Sequence, residues 1–241
     1  MEKSVFKYKV EPQYVDFTDR VSVSSICDLM LQAAGRDAYG RGFGIDALAD
    51  NNFGWVLSRI AVEMDYMPSQ YSEFTLHTWI SDYNRLSSTR NFTLTDNEGR
   101  EFGRAVSQWC MLDYATRMPV DMNTMAKAHE GNMVDAPSPC ERPRRIGVIT
   151  SEPVVEHRVV YSDIDFNRHM NTMRYIGLML DMVDIEHLTA NRPLRIDVHF
   201  IAECLYGQTI KVGMQTTDTA TLFEVTRDDG TVACRAAFSW K

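Results

Sequence analysis

Two periodicities alternate along this chain. Between Asn171 and Val183 the apolar residues Met173, Ile176, Leu180 and Val183 recur three or four positions apart, with Arg174 and Asp181 off that stripe. This spacing predicts an amphipathic helix that opens at Asn171, a residue type suited to capping a helix N-terminus. Gly177 lies inside the predicted helix, where glycine costs about 1 kcal/mol relative to alanine, so it points to close approach of the helix to a sheet. The methionines read as core filler. Elsewhere the period is two: "VLSRIAVEM" (56–64) and "RPLRIDVHF" (192–200) alternate as half-buried strands do. The stretches 92–109 and 223–240 each place a polar, glycine-bearing turn between two β-prone runs, which is the pattern of a hairpin.

These segments form an internal repeat. Arg59, Ile60 and Val62 lie on Arg195, Ile196 and Val198, and the turn glycines Gly99 and Gly230 fall in register. Leu29, Met30 and Leu31 lie on Leu178, Met179 and Leu180, a shift of 149 (178 minus 29). Each half therefore reads as a strand, a helix and several antiparallel strands, an α+β pattern. Between them Pro137, Pro139 and Pro143 can neither extend a helix nor donate to a central ladder, which marks a linker. We expect residues 1–135 and 151–241 to form the two halves, with 136–150 between them. One helix is too little to cover a sheet on both faces, so each half is expected to pair with its copy inside the chain.

Composition narrows the class. With 44% hydrophobic and 24% charged residues the chain can bury a core, whereas 241 residues alone do not separate one large domain from two small ones. The charged opening "MEKSVFKYKVEPQYVD" and the absence of a long apolar run predict a cytoplasmic protein with no membrane segment. Cys27, Cys110, Cys140, Cys204 and Cys234 are scattered and never form CxxC, which argues against a disulfide framework and a zinc site. A net charge of −8 disfavours nucleic acid as a partner.

"SDIDFNRHMNTMRYIG" (162–177) and "HFIAECLYGQTI" (199–210) carry the chemistry. Together they resemble the acyl-acyl carrier protein thioesterases, whose pattern has Asp-x-Asn-x-His before the helix of the second half and a Glu-Cys pair on a later strand. Here those positions are Asp165, Asn167 and His169, then Glu203 and Cys204. "WVLSRIAVEMDYMP" and "GRAVSQWCMLDYATRMP" extend the resemblance through the first half. It implies two tandem hot-dog folds, each a helix wrapped by an antiparallel sheet, and hydrolysis of fatty acyl thioesters presented on acyl carrier protein, without metal or cofactor. We expect a bacterial-type cytosolic member, without the N-terminal transit extension of the plastid members.

The repeat supplies a control of its own. At the same shift Thr18 and Arg20 stand where Asn167 and His169 do, while Met67 and Pro68 match Glu203 and Cys204. Polar residues kept for folding alone would be expected in both copies, so their restriction to one favours a site. His169 can exchange protons near neutrality. Asn167 offers an amide to the thioester carbonyl or satisfies a turn, and Asp165 holds its neighbours or complements the helix end. Glu203 serves as base for water or orients His169. Cys204 is either a nucleophile or a small buried residue; neighbours on a regular strand face opposite ways, which favours Glu203 and activated water.

Trp55, Trp79, Trp109 and Trp240 are expected in the core or an acyl pocket, and Arg142, Arg144 and Arg145 either in solvent or against an acidic carrier. The competing readings are an acyl-CoA thioesterase, a hydroxyacyl-thioester dehydratase of the same fold, and a non-catalytic acyl-binding module. A single chain and a homodimer both satisfy the pattern.

Overall fold

A computed structural model of the chain describes residues 2–49, 52–125 and 131–240. In the first half β1 (Ser4–Lys9) leads to the long helix α1 (Val23–Gly40) and the short helix α2 (Ile45–Ala49). The antiparallel run β2 (Phe53–Met64), β3 (Glu73–Tyr83), β4 (Ser88–Asp96) and β5 (Glu101–Asp113) follows. The second half repeats the plan with β6 (Pro153–Arg158), α3 (Thr172–Leu180), α4 (Ile185–Thr189), β7 (Leu194–Phe200), β8 (Thr209–Thr216), β9 (Thr221–Arg227) and β10 (Val232–Trp240). Among the described residues these ten strands belong to one sheet in the order β1-β3-β4-β5-β2-β7-β10-β9-β8-β6, which reads the same from both ends once each strand is replaced by its repeat mate.

The halves meet where β2 pairs antiparallel with β7. Ala61 stands opposite Asp197, its own mate at a shift of 136, so a pseudo two-fold passes through that pair. On one face Ile60, Val62, Ile196 and Val198 join Ile26, Leu29 and Met30 of α1 and Tyr175, Ile176 and Met179 of α3 in a single core. The tandem hot-dog arrangement is therefore a continuous sheet carrying two central helices. Both hairpin glycines sit in the left-handed region at φ +81°, a conformation that favours glycine in these tight turns.

On the other face of β2 and β7 the alternation buries charge. Arg195 bonds Asp197 at 2.8 Å and Glu63 at 2.6 Å. The linker runs across this cluster as an extended strap: the Arg144 amide donates to Asp197 at 2.9 Å, and Arg195 donates to the carbonyls of Glu141 and Arg142. Arg142 pairs with Asp82 and Arg144 with Glu141, both near the surface.

Three local expectations need correction. The second-half helix ends at Leu180 rather than continuing to Val183, because the chain turns there and restarts as α4; the residues it buries are Tyr175, Ile176 and Met179. Gly177 marks no close approach to the sheet, since a Cβ there would meet nothing within 4 Å. Glu203 and Cys204 lie on no strand: β7 stops at Phe200 and β8 begins at Thr209.

Candidate active site

The segment 164–170 is a small closed hairpin. Ile164 bridges Met170, the Asp165 amide donates to the His169 carbonyl at 2.9 Å, and Arg168 turns the corner at φ +66°. Asp165 organises it from within, its carboxylate accepting the amides of Asn167 at 2.8 Å and His169 at 3.3 Å. Just beyond, the side chain of Asn171 accepts from the Met173 amide and starts α3. The irregular segment after β7 docks against this hairpin: Leu205 bridges His169, and the Met170 amide donates to the Cys204 carbonyl at 2.8 Å. That contact brings Glu203 to His169, with Oε2 3.2 Å from Nε2.

Arg117, from the turn after β5 in the first half, donates to the same Glu203 oxygen. Tyr114 lies close by, and burial followed by the negative charge of Glu203 pushes its phenol up. Gly54 makes room for that ring, since a Cβ there would lie 1.9 Å from the Tyr114 hydroxyl.

Asp165, Asn167, His169 and Glu203 all line a cavity of about 1280 Å³. Its polar end belongs to the second half, and much of its apolar wall is Leu31, Gly35, Phe43, Trp55, Ile80 and Trp109 of the first. The two indoles satisfy their N–H groups within the protein, Trp55 on the Phe43 carbonyl at 2.9 Å and Trp109 on Ser107 at 2.8 Å. Arg90 also lines the cavity and is held by Asp37 at 2.6 Å. Among the described residues no three of His, Cys, Asp and Glu gather as a metal site.

A family model for the acyl-ACP thioesterase N-terminal domain matches residues 2–127, and one for the C-terminal domain matches residues 149–241. The chain belongs to the acyl-ACP thioesterase family. It is similar to the crystal structure of an acyl-ACP thioesterase from Bacteroides thetaiotaomicron, at 33% identity and TM-score 0.90 over 99% of this chain and 98% of that one. The 12:0-ACP thioesterase of Umbellularia californica shares the fold at 16% identity, with TM-score 0.84 over 98% of this chain and 97% of that one. A chloroplastic oleoyl-acyl carrier protein thioesterase of Coriandrum sativum is 24% identical over 85% of this chain. An acyl-[acyl-carrier-protein] hydrolase of Cuphea viscosissima is 25% identical over 70% of it. The matches cover 60% and 41% of those two plant proteins' own lengths.

Within this thioesterase-family chain the five expected site residues do not all converge. Four face the cavity, whereas Cys204 turns into the core at 0% exposure, outside the cavity lining. Burial raises its thiol, and its side-chain hydrogen-bond partner is Tyr175 rather than His169. Glu203 and Cys204 thus point opposite ways, as neighbours on a strand would, although their segment is irregular.

The tryptophans divide as well: Trp55 and Trp109 line the cavity, and Trp79 is buried. Met30 belongs to the core and not to the cavity wall. Sequence reasoning missed Arg117. Shifting it by the offset that relates β5 to β10 runs past the end of the chain, so the repeat offers no comparison, and its partner is 86 positions away.

Proposed function

We propose that this chain hydrolyses fatty acyl thioesters carried on acyl carrier protein in the cytosol, releasing a free fatty acid and the carrier thiol. The observation that carries the reading is the His169–Glu203 pair, 3.2 Å apart, at the polar end of a large cavity walled by aromatic and aliphatic side chains. The acyl tail lies in the part of the cavity formed by residues 1–135. The chemistry belongs to residues 151–241, and the strap of 136–150 joins the two.

In this mechanism Glu203 takes a proton from water as its oxygen adds to the thioester carbon, and the Asn167 amide donates to the carbonyl oxygen as negative charge gathers there. The C–S bond then breaks and His169 supplies a proton to the departing sulfur, recovering one from Glu203 across their shared contact. Arg117 positions Glu203, and Asp165 positions the loop that presents Asn167 and His169. The burial of Cys204 and its place outside the cavity lining support water over a thiol as the nucleophile.

The test presents matched acyl chains on carrier protein and on coenzyme A, with thiol release and alkene formation followed in parallel. Thiol release that is faster from the carrier supports the proposal. A preference for the CoA thioester makes the chain an acyl-CoA thioesterase, alkene formation makes it a dehydratase, and binding without turnover removes the catalytic reading.

A further inference from the structure

The pseudo two-fold that relates the halves carries the catalytic cavity onto a second cavity of about 230 Å³, between the segment after β1 and the end of α3. The correspondence runs residue by residue. Thr18, Arg20 and Met67 line it at the places of Asn167, His169 and Glu203, and Trp240 lines it at the place of Trp109. On the opposite wall Gly177 and Leu180 stand where α1 gives the large cavity Asp28 and Leu31. The second cavity is smaller because α3 stops after 9 residues where α1 continues for 18, so the chain folds back through α4. Asn191 closes that side by accepting the Met67 amide at 2.8 Å.

The exchanged residues change what the cavity can do. Arginine stays charged and cannot act as a base, and Met67 has no proton to move, so hydrolysis is excluded here. What remains is a cation beside an apolar wall. Arg20 spends one donor on the Thr189 carbonyl at 3.3 Å, and the guanidinium has five. Arg192 also lines the cavity and forms no ion pair with a described residue. Of the two acids present, Asp16 is already occupied by the amide and hydroxyl of Thr18, at 2.8 and 2.6 Å, and Asp181 sits at the end of α3. Trp240, backed by His187 at 5.2 Å, and Leu180 supply the apolar side. Gly177 then has a role: the open space above its Cα is space a side chain would fill.

We propose that this cavity binds a short-chain aliphatic monocarboxylate, with its carboxylate on Arg20 and its tail against Trp240 and Leu180. A water's share of liquid volume is about 30 Å³, so 230 Å³ holds roughly eight non-hydrogen atoms, the size of hexanoate. The inference rests on the cavity and the pseudo-symmetry, and it stands whichever acyl carrier the catalytic cavity uses.

The whole chain labelled with 5-fluorotryptophan tests it, because Trp55 and Trp109 report on the large cavity and Trp240 on the small one. Trp240→Phe assigns the signal. Hexanoate should move the Trp240 resonance saturably, while hexanol and inorganic phosphate should each require at least about tenfold higher concentration, since one lacks the charge and the other the tail. Arg20→Gln should raise the hexanoate midpoint at least about tenfold. Gly177→Leu fills the cavity from a helix position that gains from losing glycine, so it should fold, abolish the Trp240 shift and leave thioester turnover unchanged. An unmoved Trp240 signal, hexanol binding as well as hexanoate, or an unchanged response in Arg20→Gln or Gly177→Leu would each overturn the proposal. If Arg20→Gln does not fold, Gly177→Leu decides alone.

Discussion

Asp37→Asn is the substitution whose cost the structure lets us work through most fully. Asp37 is 4% exposed near the end of α1, and its carboxylate gathers three elements: Arg41 of its own helix neighbourhood, Arg90 of β4 at 2.6 Å, and Ser4 of β1. Burial favours its neutral form, but the charge of Arg90 and the hydrogen bonds from Ser4, Arg41 and Arg90 outweigh it and hold the carboxyl below the usual range. An asparagine of the same shape leaves Arg90, itself 4% exposed, without its counter-ion. Breaking a buried pair from one side costs about 3–5 kcal/mol. For a chain of this size that corresponds to a fall in Tm of about 6 to 20 °C, at about 2–4 °C per kcal/mol.

The sign with pH follows from the same shift. A group with a depressed native pKa contributes its full stability above its unfolded value of about 3.9 and loses it as pH falls through the native value. The native protein should therefore lose this contribution on acidification below about pH 4, and Asp37→Asn should show a shallower decline there. Chemical denaturation at pH 7, with calorimetry continued from about pH 4 down to about pH 2, measures both effects. A destabilisation below about 1 kcal/mol at pH 7, or identical pH slopes, would refute the claim that this pair ties α1 to the first-half sheet.

The acyl wall and the core should separate cleanly. Trp55→Ala enlarges the cavity and should shift the preferred acyl length while turnover survives, whereas Met30→Ala should cost about 2–5 kcal/mol of stability with little change in chain preference; chain-length profiles beside denaturation curves decide between them. Arg117→Met should lower kcat about tenfold, less than a fully buried charge-assisted bond would give because Arg117 is half exposed, and Arg117→Lys should recover part of it. A change in KM alone would place Arg117 in substrate binding instead of behind Glu203.

Much of this architecture was legible because the chain repeats. The shift of 149 that aligns Leu29 with Leu178 also aligns the Val15–Val21 bridge with Ile164–Met170, and Met67 does sit where Glu203 does. Local signals carried Asn171 as a cap and Gly99 and Gly230 as turns. Tertiary packing decided the rest. The stripe from Met173 to Val183 has helical spacing throughout, but nothing in it announces the break at Leu180. Gly177 resembles a packing glycine until the cavity beside it is seen. Arg117 could not be found by any short-range rule, because its role arises only when the turn after β5 meets the segment after β7 across the two-fold.

The central claim, that Glu203 and His169 activate water while Cys204 serves the core, is tested most directly by intact-mass measurement on rapidly quenched turnover, alongside the two neighbouring alanine variants. The account predicts unmodified protein throughout, a loss in kcat of about 10² to 10⁴ for Glu203→Ala, and near-native turnover for folded Cys204→Ala. An acyl adduct on Cys204 that forms and decays at the rate of turnover, with near-total loss in Cys204→Ala, would contradict it.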